Sequence, residues 1–313
     1  MQAEENKSLQ EFEIEARLNI IGQYMDLEAL LNKKTDNEAI EHYYRKAEFF
    51  YNLVLNQGGD SIHLGLTDGD IFHKDDFLGQ ARFVASLIDR PGMQVLELGA
   101  GRLINTKYLA RQFPDQQFTA LDLPNRGFLK NRVPRNVTLK EGDYNDLSLF
   151  PEASFDIVFG VETICYAESK KHVFAEVARV LKPGGKLVVF DGYDARPAEA
   201  MSEIERRASA AVMRAMCVTS RDQYVGDMQK YLEDLSYTDI ELTDLTAKVR
   251  PTLRRLDRIA GYFFMHPRLV KFGRKHLPYD GVRNGVAGWL MFYTTTPDAR
   301  QIHQYIRIVA TKP

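Results

Sequence analysis

Three acidic residues stand where chemistry is easiest to build, each in or just after an apolar run. Glu97 lies within Val95-Leu96-Glu97-Leu98-Gly99-Ala100-Gly101, Asp122 ends Phe118-Thr119-Ala120-Leu121, and Glu162 follows Phe155-Asp156-Ile157-Val158-Phe159-Gly160-Val161. Short apolar runs bounded by turn residues are expected to be buried strands. A carboxylate at the carboxyl end of such a strand faces the crevice in which open α/β sheets bind ligands. Gly99 and Gly101 lack a Cβ, so the backbone there can turn tightly and lie close to a ligand. Asp122 follows that turn by about twenty residues, the place of a ribose-binding carboxylate in a nucleotide-binding βαβ unit.

Two features narrow the nucleotide. The third glycine of a dinucleotide fingerprint is missing, with Thr106 near its place, and an acid precedes the first glycine. A dinucleotide needs open backbone for its pyrophosphate, which an acid there would repel. The same acid suits a cationic amino-acid moiety. S-adenosylmethionine carries an ammonium and a sulfonium and no phosphate, so the pattern points to a methyl donor and away from a nicotinamide.

The elements that must hold these residues follow in order. The 313-residue chain has 44% hydrophobic and 27% charged residues and a net charge of −2, an ordinary globular balance that gives no reason to expect a nucleic-acid partner. No run is long enough to span a bilayer, the acidic N-terminus is unlike a signal peptide, and Cys165 and Cys217 lack metal-ligand spacing. A cytoplasmic protein is expected. Leu9, Phe12, Ala16, Ile20, Tyr24, Leu27 and Leu31 mark one face of a long helix. That face would cover its own domain or a second copy of the chain. Thr35-Asp36-Asn37-Glu38 is a capping box that should open a helix over 36–51, and another is expected over 74–89. Strands are expected at 93–98, 117–122, 136–141, 155–161, 185–191, 238–242 and 302–310, with helices at 102–112, 198–216 and 220–235 between them. Such alternation gives a mostly parallel α/β sheet with helices on both faces. The expected divisions are 1–75, N-terminal helices and lid; 76–195, donor-binding core; and 196–313, a helical substrate cap with the last two strands.

Glu97-Leu98-Gly99-Ala100-Gly101, Asp122, Glu141-Gly142-Asp143 and Leu181-Lys182-Pro183-Gly184-Gly185 together resemble the seven-stranded, Rossmann-like S-adenosylmethionine-dependent methyltransferases. The resemblance covers about residues 75–195. It implies that Glu97, Gly99, Ala100 and Gly101 meet the methionine part of the donor, Asp122 the ribose, and Asp143 with Tyr144 the adenine. Leu123 and Val161 would also line the donor site.

Val161-Glu162-Thr163-Ile164-Cys165-Tyr166-Ala167 resembles two groups that methylate alkenes, the sterol side-chain and the prenyl-diphosphate C-methyltransferases. Alkene methylation leaves a tertiary carbocation that must lose a proton, and an ordinary Glu, pKa ~4.3, would be an ionised base. Glu162 and Tyr166 are the expected catalytic residues. The stretch Tyr43–Gly69, too glycine-rich for regular structure and too aromatic for a solvated linker, is expected to be a lid. Within it, Tyr51-Asn52-Leu53-Val54-Leu55 with His63 and Gly65 resembles the diphosphate-end lid of the prenyl group, and the chain lacks the tryptophan that the sterol group has there. Asn52 and His63 would reach the diphosphate or waters on its Mg2+. Tyr44, Tyr51, Phe190, Tyr193 and Trp289 would line the acceptor's apolar tail, and nine Lys/Arg between Lys248 and His276, against the single acid Asp257, offer further phosphate partners. The chain has no Asp-Asp-x-x-Asp cluster, so any ring closure would start from the methylated cation with the diphosphate kept. Alternatives are a methyltransferase for a sterol, quinone or other apolar metabolite, and a nucleotide-binding protein without turnover.

Overall fold

A computed structural model describes residues 8–32, 61–124, 128–218, 223–276, 279–298 and 300–313. The helix expected over 36–51, and with it Tyr44, Tyr51 and Asn52, lies outside the described residues. Seven strands form one sheet: β1 Gln94–Leu98, β2 Gln117–Asp122, β3 Val137–Glu141, β4 Phe155–Val161, β5 Leu181–Asp194, β6 Thr238–Asp244 and β7 His303–Thr311, in the order β3-β2-β1-β4-β5-β7-β6. β1 pairs in parallel with β2 and β4, β2 with β3, and β4 with β5, whereas β6 and β7 are antiparallel. This is the mostly parallel α/β sheet that the alternating runs predict, with the seven strands that the resemblance implies.

Every residue of β4 is buried, which explains its unbroken apolar run: a central parallel strand has helices on both faces. The strand order reverses direction at β1, between β2 and β4. Asp122, the glycine turn and Glu162 therefore sit at the carboxyl ends of three adjacent strands, at the topological switch point where such sheets bind ligands.

β5 is longer than expected because Lys182-Pro183-Gly184-Gly185 is part of it. Phe155 pairs with Leu181 and Ile157 with Lys186, so four residues bulge opposite Asp156. Gly184, at φ +75°, absorbs the turn, and Lys182 Nζ reaches Asp156 Oδ2 at 2.7 Å.

The chain forms two compact units. One holds the sheet and comprises 58–193, 220–249 and 305–313; the other comprises 1–57, 194–219 and 250–304. In the first, Leu96, Leu121, Val158, Val189 and Ile308 are among the buried side chains of the core. In the second, Ile14, Leu18 and Ile21 pack with Ala208, Val212, Phe264, Trp289 and Leu290.

The N-terminal helix differs from expectation in two ways. It runs over Leu9–Gly22 and stops, and Asp26 caps a separate helix, Leu27–Leu31, by accepting the Ala29 N–H at 2.9 Å. Its buried face is Ile14, Leu18 and Ile21; Leu9 and Phe12, expected to be buried, are 78% and 61% exposed. Apolar residues are spread around this helix, so spacing alone selects the wrong stripe. The helix expected over 74–89 is a 3-10 turn, Lys74–Leu78, running into an α-helix, Gly79–Ala85. The helix expected over 198–216 is Glu203–Ala215, opened by a capping box between Ser202 and Glu205.

Candidate active site

At the end of β1 the backbone turns through Gly99 (φ +62°), Gly101 (φ +53°) and Leu103 (φ +66°). A Cβ on Gly99 would lie 2.0 Å from Thr163 Oγ1, and one on Gly101 would lie 2.9 Å from Ile62 Cδ1. Both glycines are thus required by close approach as well as by backbone angle. Asp122 holds the turn from the neighbouring strand: Gly101 N–H donates to Oδ2 at 2.5 Å and Leu123 N–H to Oδ1 at 2.7 Å. Ala100 N–H donates to Leu121 O at 3.0 Å. Each Asp122 oxygen retains a lone pair for a ribose hydroxyl.

Glu97 is tied more to protein than the sequence suggests. Its Oε1 accepts from Asn105 Nδ2 at 3.0 Å, and its Oε2 accepts from Thr106 N at 3.1 Å and from the Thr106 hydroxyl. It thereby anchors the first turn of the helix Ile104–Gln112. Burial raises its pKa to about 7, against the pull of the Thr106 and Asn105 hydrogen bonds, and the charge of Asp122 adds to the rise.

Asp143 Oδ1 accepts from Asn145 N at 2.8 Å and from Asn145 Nδ2 at 2.7 Å, a tight local turn. Tyr144 is buried and donates its hydroxyl to Thr163 O at 2.6 Å, linking the segment after β3 to the turn after β4.

Glu162 sits one residue past β4, at φ +49°, with its N–H donating to Phe190 O at 2.7 Å. A non-glycine residue in the left-handed region is uncommon and marks a site that the surroundings over-determine. Leu64 N–H donates to its Oε1 at 2.7 Å and the Tyr305 hydroxyl donates to the same atom at 2.9 Å. Gln80 Nε2 ties the two donors together, reaching Leu64 O at 2.8 Å and Tyr305 Oη at 3.1 Å. Both hydrogen bonds to the carboxyl fall on Oε1, which leaves Oε2 as its open acceptor among the described residues.

Burial, with the charge of Asp191 added, raises the Glu162 pKa to about 8 against the pull of the Leu64 and Tyr305 hydrogen bonds. The sequence-based expectation of an ionised carboxylate at neutral pH is thus corrected for the donor-free protein: desolvation keeps the proton on. Asp191, at the end of the apolar run Leu187–Phe190, accepts from Cys165 N at 2.8 Å and Gly192 N at 2.9 Å. Burial raises its pKa as well.

Of the residues expected along the acceptor, Phe190 and Tyr193 belong to the unit that holds the sheet and Trp289 to the other. Phe190 and Tyr193 are wholly buried, and the Tyr193 hydroxyl has no hydrogen-bond partner among the described residues. Val161 is buried opposite Phe190, and Tyr166 is half-buried in the turn Ile164–Tyr166. Trp289 belongs to the other unit, where its ring stacks on Phe264 at 5.2 Å. His63 does not fit a ligand for a metal-bound water through Nε2: that atom lies 2.8 Å from Phe77 O, and burial lowers the ring's pKa to about 4. Among the described residues, no three His, Cys, Asp or Glu come together as a metal site, and no helix is long and apolar enough to cross a membrane. In the basic stretch, Lys248 pairs with Asp68 at 2.7 Å, and Arg250 donates to Phe292 O and Thr295 O at 2.9 Å each.

Tyr305, Gln80, Thr163 and Asp191 were not singled out by sequence. Asp191 carries the signal that marked Asp122, an acid ending a strand. Tyr305 carries none, since it meets Glu162 across 143 residues.

The family described as methyltransferase domain matches residues 96–189, from β1 through the glycine turn, Asp122 and Glu162 to β5. This chain is an S-adenosylmethionine-dependent methyltransferase. The methyltransferase is 29% identical over 217 residues to a fatty-acid O-methyltransferase of Mycolicibacterium smegmatis, covering 68% of this chain and 71% of that one. Several other curated relatives are matched over about half of their own length. Among solved structures, the cyclopropane synthase MmaA2 of Mycobacterium tuberculosis is similar at a TM-score of 0.69 with 14% identity, covering 90% of this chain and 100% of that one. A geranyl diphosphate C-methyltransferase of Streptomyces coelicolor A3(2), in complex with Mg2+, geranyl diphosphate and S-adenosylhomocysteine, is similar at 0.59 with 17% identity, covering 88% and 97%. At these identities the two structures speak to the fold. The site residues are of a kind that fits the donor: two glycines at positive φ, a strand-end carboxylate with acceptor capacity left over, and a half-buried acid at the switch point.

The Glu162 network gives a pH prediction. The Tyr305 hydroxyl stabilises the carboxylate, so Tyr305→Phe should raise the Glu162 pKa. Where Glu162 must be ionised, the acidic limb of kcat/KM should move to higher pH. Loss of one hydrogen bond to a charged group, about 1.5–3 kcal/mol, would move that limb by roughly one to two pH units. A pH–rate profile of Tyr305→Phe that overlays the parent's would remove Tyr305 from the account.

Proposed function

We propose that this methyltransferase adds the methyl group of S-adenosylmethionine to an alkene carbon of a prenyl diphosphate of the geranyl or farnesyl type. In this reading the donor supplies an electrophilic methyl on a cationic sulfur. The methyl–sulfur bond breaks as the alkene's π electrons form the new carbon–carbon bond. The acceptor becomes a tertiary carbocation, and Glu162 takes a proton from a carbon beside it to restore an alkene. The same cation could instead close a ring before the proton leaves.

One observation carries the reading. Glu162 stands at the switch point with one oxygen held by Leu64 and Tyr305 and the other open. Methyl transfer to an oxygen or nitrogen nucleophile creates no carbocation, so no proton has to be taken from carbon. A carboxyl whose pKa is raised to about 8 also answers the charge of the reaction, because a cation arriving beside it favours the ionised form. Donor binding at neutral pH should then displace a proton. The neutral S-adenosylhomocysteine should displace fewer, which calorimetry in buffers of different ionisation enthalpy would read.

Magnesium belongs to this reading as the counter-ion of the diphosphate, part of the substrate. Excess EDTA should lower turnover on a prenyl diphosphate by at least about tenfold, since few other groups offset its charge. Undiminished activity in EDTA would discard the diphosphate. The similarity to a fatty-acid O-methyltransferase favours a second reading, an apolar lipid acceptor methylated on oxygen. Labelled donor offered with prenyl diphosphates, sterols and fatty acids in turn separates the two. Label entering only a fatty acid would overturn the first.

A further inference from the structure

Residues 258–276 leave the fold with an unusual surface. They hold five Lys/Arg and no acid, in a chain of net charge −2. They also hold Ile259, Tyr262, Met265, Leu269 and Phe272, half of the large hydrophobic side chains that stand exposed among the described residues, within fourteen positions. Tyr262, Met265 and Phe272 are 64%, 60% and 62% exposed. The helix Pro267–His276 buries Val270 and Gly273. It turns Leu269 and Phe272, with Arg268, Lys271, Arg274 and Lys275, to solvent. The preceding helix, Thr246–Phe264, buries Val249, Leu253 and Phe264 and leaves Arg258, Ile259 and Tyr262 outside. Met265 and His266 join the two helices.

A large apolar side chain held in water is unfavourable, and several in succession mark an interaction surface. Cations between them restrict the partner: it must be apolar at depth and negative at its face. We propose that this surface docks on an anionic lipid bilayer, with Leu269, Phe272 and Tyr262 entering the headgroup boundary and Arg258, Arg268, Lys271, Arg274 and Lys275 over the lipid phosphates. That is the composition of an interfacial amphipathic helix, which lies in the membrane plane. It accords with the absence of a membrane-crossing helix among the described residues. The cation count matches what polybasic segments need, each Lys or Arg near an anionic surface being worth about a fivefold change in partitioning. The inference stands apart from the identity of the acceptor and does not rest on Glu162.

Flotation of the full chain with vesicles of phosphatidylglycerol and phosphatidylcholine, and with phosphatidylcholine alone, tests it. The protein should float with the anionic vesicles at low salt, dissociate at high salt, and stay behind with the neutral ones. Lys271→Gln with Arg274→Gln should lower partitioning roughly twenty-five-fold, two cations at about fivefold each. Leu269→Ser with Phe272→Ser should lower it at unchanged charge. All four side chains are exposed, so melting curves should match the parent's, and the lipid and salt dependence of the parent stands without any variant. Failure to float with anionic vesicles overturns the proposal, as does equal flotation with neutral ones. A concentration-dependent dimer that Phe272→Ser dissolves, with no vesicle binding, would give the surface to a second copy of the chain instead.

Discussion

Glu162→Gln is expected to lower turnover by about 10²–10⁴-fold, the usual worth of a general base, while S-adenosylhomocysteine binds nearly as before. The amide oxygen can still accept from Leu64 and Tyr305, which both bond Oε1, so geometry is kept and basicity is lost. Stability should move the other way. A carboxyl whose pKa rises from 4.5 in the unfolded chain to about 8 in the fold costs stability progressively as pH climbs through that window. Glu162→Gln should therefore melt with the parent near pH 5 and above it near pH 9, when no donor is bound. Glu162→Asp should keep part of the activity and alter which proton is lost. S-adenosylhomocysteine affinity falling in step with the rate would make Glu162 a donor ligand. Full activity in Glu162→Gln would end the alkene mechanism.

Asp122→Ala should weaken S-adenosylhomocysteine binding by roughly ten- to 150-fold, the loss of charge-assisted hydrogen bonds worth ~1.5–3 kcal/mol. The same carboxylate accepts the N–H groups of Gly101 and Leu123. Its removal therefore also frees the turn that shapes the donor site, and the melting temperature should fall with the affinity. Calorimetric titration and a melting curve measured together read both. Unchanged affinity would move the nucleotide elsewhere and remove the basis for the donor site.

Much of this arrangement is legible in the sequence because a parallel sheet writes its register into apolar runs. Those runs end at the strand termini, where Asp122, Gly99 and Glu162 stand. All seven strands form where the runs predict, and so does the helix after the glycine turn. What sequence misses depends on contacts that close across the chain. Tyr305 and Gln80 are an ordinary strand tyrosine and helix glutamine until the fold brings both to Glu162. The protonation of Glu162 is a property of its burial, which residue type cannot disclose. Glu97 looks like a ligand for an ammonium because its anchors, Asn105 and Thr106, belong to the next helix. At the N-terminus, Ile14, Leu18 and Ile21 compete with a stripe of equal apolar content, and only packing against Ala208 and Val212 distinguishes the two.

The position of the transferred methyl is the most direct test of the proposed chemistry. The protein would be given trideuteromethyl-labelled S-adenosylmethionine, magnesium and geranyl or farnesyl diphosphate, and the product analysed by mass spectrometry and NMR. The account predicts an intact trideuteromethyl group on a former alkene carbon, with the diphosphate retained and one proton lost from a carbon beside the cation. Label found on oxygen, or no transfer to either prenyl diphosphate under conditions in which a fatty acid is methylated, would contradict it.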